Sequence, residues 1–155
     1  MKILLAVDES SHSAEAVQVV ADRPWPPDTV VRVLTVVQPF VPPAAEFAYD
    51  AVGAMQQVWQ DRRDRAGGVV EAVARMLHDK GLTAEPFVCD GDPRSTIVDE
   101  AKEWGADLIV LGSHGHTGIT RWLLGSVAQS VVSHAPCSVE VVRLRHDDLK
   151  NAPRP

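Results

Sequence analysis

Three glycines and a serine have a spacing that can do chemistry. Gly112 and Gly115 are followed, nine residues on, by Gly125 and Ser126. The whole segment reads Gly112-Ser113-His114-Gly115-His116-Thr117-Gly118, then Ile119-Thr120-Arg121-Trp122-Leu123-Leu124, then Gly125-Ser126. It starts where an apolar run ends and finishes where helical spacing begins. Gly112 lets the chain leave a strand sharply, while Gly115 and Gly118 permit φ > 0 and close approach of another group. A helix opening at Gly125-Ser126 presents unpaired N–H groups, and the Ser126 hydroxyl adds a donor. Together these features describe an anion site suited to phosphate. The segment is not a Walker loop, because no Lys follows Gly125. It is not the Rossmann fingerprint, because it follows a fourth strand rather than a first. The plain alternative is a surface loop with turn glycines.

The elements that must position this segment can be read from hydrophobic periodicity. Residues 3–7 form a short apolar run ending at Asp8, the pattern of a central parallel strand buried on both faces. Ser10, Ser11 and Ser13 offer helix caps, and Ala14, Val17 and Ala21 recur at helical spacing until Pro24, Pro26 and Pro27. A Val-rich second strand is expected over 29–37. A Pro-rich connection over 39–45 leads into a long helix over about 46–80, where Met55, Trp59, Ala66, Val69, Val73 and Leu77 share a face. Gly67-Gly68 either weakens that helix or admits another backbone, and Gly81 stops it. A third strand is expected over 82–89. Asp92-Pro93 then starts a helix carrying Ile97, Val98, Ala101 and Trp104. A fourth strand follows over 107–111, a short helix over 126–134 and a fifth strand over 137–142. The expected fold class is α/β, a single doubly wound domain over 1–144 with helices on both faces of a five-stranded parallel sheet. Residues 145–155 read as a polar tail. Ligands on such sheets bind beyond the C-terminal strand ends, where strand order switches. That rule selects Asp8, Val36, Asp90 and Gly112 before any motif is invoked.

Composition narrows the partners. The chain has 155 residues, 45% of them hydrophobic, and acids outnumber bases 21 to 15 for a formal charge of -6. That balance excludes the broad basic surface that grips nucleic acid, but not a small anion held by backbone N–H groups. No stretch approaches the ~18 apolar residues of a membrane span, and residues 1–8 are too short an apolar run for a secretory signal. A cytoplasmic protein is expected. Cys89 and Cys137 match no zinc or redox spacing and read as reduced packing residues.

With these residues in place, the chain resembles the universal stress protein family, of the adenine-nucleotide-binding kind. The family pattern is Gly, two residues, Gly, nine residues, Gly, then Ser or Thr; Gly112, Gly115, Gly125 and Ser126 satisfy it without a gap. Further matches are Ala6-Val7-Asp8-Glu9-Ser10, Ala106-Asp107-Leu108-Ile109-Val110-Leu111-Gly112, Gly91-Asp92-Pro93 and Ala135-Pro136-Cys137. The likeness covers residues 1 to about 143. It implies strand order 3-2-1-4-5, a homodimer through the last strand, and ATP at the strand ends, with the need for Mg²⁺ or Mn²⁺ left open. It places Asp8 at the adenosine end and Val36 where backbone meets adenine. The implied nucleotide-binding set is Ala6, Val7, Asp8, Val36, Gly112, Ser113, Gly115, His116, Arg121, Gly125, Ser126 and Val127.

One departure concerns the last strand, Cys137-Ser138-Val139-Glu140-Val141-Val142, which the family usually keeps apolar. Glu140 is either an edge charge that blocks unwanted pairing or the partner of a basic residue across a dimer interface. Asp8 is alternatively a helix cap, His114 and His116 are alternatively solvated loop residues, and Arg121 reaches either a γ-phosphate or solvent. Trp25, Trp59, Trp104 and Trp122 read as core or interface residues. The leading expectation is a nucleotide-dependent regulator of a stress or growth response with at most slow ATP hydrolysis and no assigned catalytic residue. The alternatives are a nucleotidyl- or phosphoryl-transfer enzyme using the loop histidines, a phospho-acceptor receiver domain, and a nucleotide-independent dimer module. The receiver reading leaves the Gly112 to Ser126 pattern unexplained.

Overall fold

The computed structural model describes residues 1–39, 51–115 and 124–144. Strands and helices alternate along them: β1 (Lys2–Ala6), α1 (Ser11–Asp22), β2 (Val30–Val37), α2 (Ala51–Asp79), β3 (Thr83–Asp90), α3 (Pro93–Trp104), β4 (Leu108–Gly112), α4 (Ser126–His134) and β5 (Ser138–Val142). The strands are parallel and lie in the order β3-β2-β1-β4-β5. The chain winds from β1 out to β3, returns to β4 beside β1, and winds out again to β5. The switch in strand order therefore lies between β1 and β4, where Ile3 is in register with both Val31 and Leu108.

Alternation along the strands divides the interior into two cores. Ile3, Leu5, Val31, Val33 and Val110 face α1 and α2, meeting Val17, Val20, Val70 and Leu77. Leu4, Leu34, Ile109 and Leu111 face α3 and α4, meeting Ile97, Ala101, Ala128 and Val131. Ile3, Leu4 and Leu5 are all fully buried, which is why β1 is apolar throughout rather than alternating.

Local signals set the helix ends. Ser10 caps α1, its hydroxyl accepting from Ser13 N–H at 3.2 Å. Asp92 caps α3 with Pro93 in the first turn, and Gly105, left-handed at φ 69°, closes it. Gly67 and Gly68 neither break α2 nor admit a backbone, for nothing lies within 4 Å of a Cβ built at either. The proposed start of this helix over 46–50 lies outside the described residues.

Glu140 stands on the edge strand β5, and its basic partner comes from the end of α1 in the same chain. It pairs within its own chain, both carboxylate oxygens accepting from Arg23 at 2.6 and 2.7 Å. The last turn of α1 is thereby tied to the edge strand β5. The opposite edge, β3, carries Pro86, a residue that an edge strand tolerates because it cannot donate to a ladder.

The tryptophans have separate roles. Trp104 packs on the second core beneath the Arg32 guanidinium, 4.4 Å from the ring centroid. Trp25 packs on the first core, and its indole N–H donates to Val20 O at 2.8 Å. Trp59 is exposed on α2, and Trp122 lies outside the described residues. Both cysteines are half-buried thiols. Among the described residues no helix is long and apolar enough to cross a membrane.

Candidate nucleotide site

The site grows from the ends of β1 and β4. Just beyond β1, the Val7 N–H donates to Leu34 O at 2.8 Å and the Val7 carbonyl accepts from the Thr35 hydroxyl at 2.9 Å. The chain then turns into α1 at Asp8. Asp8 Oδ1 accepts from Ser10 N–H at 3.0 Å and from the Ser10 hydroxyl at 2.5 Å. Asp8 is thus not the helix cap; it holds the residue that is. Its second oxygen faces the other side of the switch point, since a Cβ built on Gly115 would lie 2.8 Å from Asp8 Oδ2.

The chain leaving β4 is pinned in two places. The Ser113 N–H donates to Val142 O at 2.7 Å, and its carbonyl accepts from Gly125 N–H at 2.8 Å. The second bond brings the two ends of the 112–125 segment together and starts α4 beside the end of β4. The glycines here serve close approach rather than unusual torsions. The described glycines with positive φ are Gly81, Gly91 and Gly105. By contrast, a Cβ on Gly112 would meet the His12 backbone at 2.7 Å, and one on Gly125 would meet Ser113 O at 3.2 Å. The expectation of φ > 0 at Gly115 is therefore corrected, while that of close approach holds. Gly118 lies outside the described residues.

Gly125 is the N-cap of α4 and supplies no side-chain cap. Its own N–H is engaged by Ser113. The N–H groups of Ser126, Val127 and Ala128 have no helical partner, as in any first turn. These three residues line a cavity of about 360 Å³ at the switch point. The same cavity is lined by Ala6, Val7, Asp8, Val36, Gly112, Ser113, Gly115 and Gly125. Ten of the residues selected from sequence thus share one enclosure. The remaining two, His116 and Arg121, lie outside the described residues.

Sequence reasoning missed several walls of this cavity. Leu34, Ile97, Leu111 and Ala128 continue the second core into it, and Pro93, Thr35, Ser13 and Leu124 complete it. Leu34, Ile97 and Leu111 were visible as core positions; nothing in their spacing marked them as facing a ligand. His12 is not among the lining residues, but it reaches His114, which is. Its ring lies 5.1 Å from that of His114, tilted by 51°, and its pKa falls below the ordinary 6.5. Burial is the main cause; His114 adds to the shift and Asp8 opposes it.

Chemically the cavity joins an apolar wall to a polar rim with backbone donors. His114 Nδ1 lies 3.2 Å from the Ser113 hydroxyl, but Ser113 is only 1% exposed, poorly placed for a nucleophile. Among the described residues no group of three or more His, Cys, Asp or Glu side chains could hold a metal ion. The arrangement suits binding: a flat apolar group against the core wall and an anion at the α4 N-terminus.

A model of the Universal stress protein family matches residues 1–143. The chain belongs to the universal stress protein family. Among its relatives is Universal stress protein MJ0531 of Methanocaldococcus jannaschii, 32% identical over 144 residues that cover 92% of this chain and 81% of that one. The solved structure of hypothetical protein MJ0577, from the same organism, is similar with a TM-score of 0.81 at 26% identity. That match covers 94% of this chain and 96% of the other. A universal stress protein family member from Arabidopsis thaliana, solved with AMP bound, shares the fold at a TM-score of 0.65 and 21% identity, covering 99% and 98%. The fold of this chain, with its 3-2-1-4-5 sheet, is shared with these structural relatives.

Proposed function

We propose that this universal stress protein binds an adenine nucleotide, ATP in the first instance, and acts as a nucleotide-dependent regulator. The observation that carries the reading is the uncapped first turn of α4 opening into a cavity at the strand switch point. Adenine fits the apolar wall near Val36, and Asp8 serves the ribose end. The phosphates fit the rim formed by Gly112, Ser113, Gly115, Ser126 and Val127, through main-chain donors. His116 and Arg121 belong to the same proposed set. The AMP held by the Arabidopsis relative supports the ligand class. ATP would bring its own Mg²⁺ or Mn²⁺. Occupancy would bias pairing of two copies through the edge strand β5, because a ligand shifts an equilibrium by its differential contacts. Hydrolysis, if any, is slow in this reading.

The test is to denature freshly purified protein, identify any released nucleotide by mass, and titrate ATP back calorimetrically. Gly115→Ala is expected to weaken ATP by roughly 10- to 100-fold, the worth of one or two charge-assisted hydrogen bonds. Asp8→Ala is expected to weaken adenosine as well. Unchanged affinity in Gly115→Ala would overturn the phosphate placement. No nucleotide released and none rebound would leave a nucleotide-independent dimer module as the account.

A further inference from the structure

Bound phosphates carry charge that a site must balance, and Lys or Arg commonly does so. Among the described residues that line the cavity, only Asp8 and His114 ionise. Asp8 is an acid, so His114 is the one described lining side chain able to become cationic. His114 does not stand alone. Its ring meets that of His12 at 5.1 Å, and the His12 backbone rests on Gly112. The two imidazoles therefore come from the two elements that flank the switch point: the first turn of α1 and the exit of β4.

We propose that the nucleotide's phosphates are received together with a proton on the His12–His114 pair, so that affinity rises as pH falls. This rests on the nucleotide reading above. In the free protein, burial and mutual repulsion disfavour charge on His12, and Asp8 favours it. A phosphate beside the pair adds a second attraction and favours the imidazolium. The surrounding charges are few. Glu9 precedes α1 and Glu15 lies one turn along it. β4 has no ionisable side chain. Lys2 of β1 is held at the opposite end of the sheet by the Trp104 carbonyl. α2 meets α1 at its far end, where Lys80 pairs with Asp22. On β5, Glu140 is engaged by Arg23, and Arg143 follows that strand.

The experiment is calorimetric titration of ATP at about pH 6 and about pH 8, a range that spans ordinary histidine titration. Two buffers of different ionisation enthalpy report proton uptake directly. The terminal phosphate of ATP also titrates here, so the wild type is read against the His12→Gln/His114→Gln double variant. The wild type is expected to take up more protons and to gain about tenfold more affinity at the lower pH than the variant, the value when binding raises one imidazole's proton affinity about tenfold. Imidazole resonances of the wild type, followed by NMR with and without ATP, give the same answer without a variant: the His12 titration should move to higher pH on binding. Equal proton uptake in the two proteins, or imidazole titrations that ATP leaves in place, would overturn this inference alone. Absence of ATP binding at both pH values would overturn it together with the reading beneath it.

Discussion

Gly112→Ala tests whether α1 rests directly on the end of β4. A Cβ at residue 112 would lie 2.7 Å from the His12 carbonyl carbon and 2.9 Å from both its oxygen and its Cβ, where ordinary contact spans 3.4–4 Å. Two of these obstacles are backbone atoms and cannot rotate away. The His12 backbone is fixed in turn by the buried face of α1, through Ala16, Val17 and Val20. Either the exit of β4 or the first turn of α1 must therefore shift. Overpacking costs about 1–3 kcal/mol, and movement of backbone places this case in the upper part of that range. A loss of about 2–3 kcal/mol lowers Tm by about 4–12 °C in a chain of this length. Urea unfolding followed by circular dichroism reads the loss as a lowered midpoint at unchanged slope. Gly115→Ala is the internal comparison, because its obstacle is the end of the Asp8 side chain rather than backbone; it should cost less stability than Gly112→Ala. A loss below about 0.5 kcal/mol in Gly112→Ala, the level of an ordinary surface change, would refute the reasoning.

Other outcomes follow from features at the surface and in the core. Glu140→Gln should cost about 0.5–1 kcal/mol at neutral pH, the upper end for a half-exposed pair, here with bidentate geometry. Hydrogen bonding to Arg23 holds the Glu140 carboxyl below its ordinary 4.5. The stabilisation is thus complete above that pH and lost as pH falls through the lowered value, so wild type and variant should converge in acid. Gly68→Ala, exposed in the interior of α2 with open space around it, should raise stability by about 0.5–1 kcal/mol on thermal unfolding; a loss would mean α2 is not continuous there. Burial first, and Glu100 next, push the Cys89 thiol up to about 12. At pH 8 its thiolate fraction is roughly one in ten thousand, so labelling by a disulfide reagent should run about a thousandfold slower than for a free thiol; fast labelling would contradict the packing.

Most of the fold was legible because the strands are buried on both faces. Apolar runs such as Leu108 to Leu111 admit few other readings, and Asp92-Pro93 and Gly81 punctuate the helices in the usual way. The strand order came from family resemblance; alternation of strands and helices alone fixes parallel pairing but not neighbours. The polar rim of the site was legible as glycine spacing. The reason for the glycines was not: Gly112 and Gly115 are small because His12 and Asp8 arrive from a segment about a hundred residues earlier, and single-segment patterns carry no record of such contacts. Ser13 was visible only as a possible cap, although its hydroxyl accepts from the Asp8 N–H at 3.0 Å and it lines the cavity. Glu140 likewise read as an edge charge or as the partner of a basic residue across an interface, and nothing in its spacing pointed to Arg23 of the same chain.

The division of the interior into two cores bears on how the chain is made. Chains emerge from the ribosome N-terminus first, and segments fold as they become available. By the time β3 has emerged, β1, α1, β2 and α2 can close most of the first core on one side of the sheet, short of Val110 and Val142. On the other side Leu4 and Leu34 still await Ile97, Ala101, Ala128 and Val131. The half-made protein therefore shows water a greasy sheet face whose natural cover has not yet been synthesised. The cavity is finished later still, since one wall belongs to β1 and β2 and the other to β4 and α4. Any small molecule that fits it would arrive at a completed chain and would fasten its two halves together after the fact.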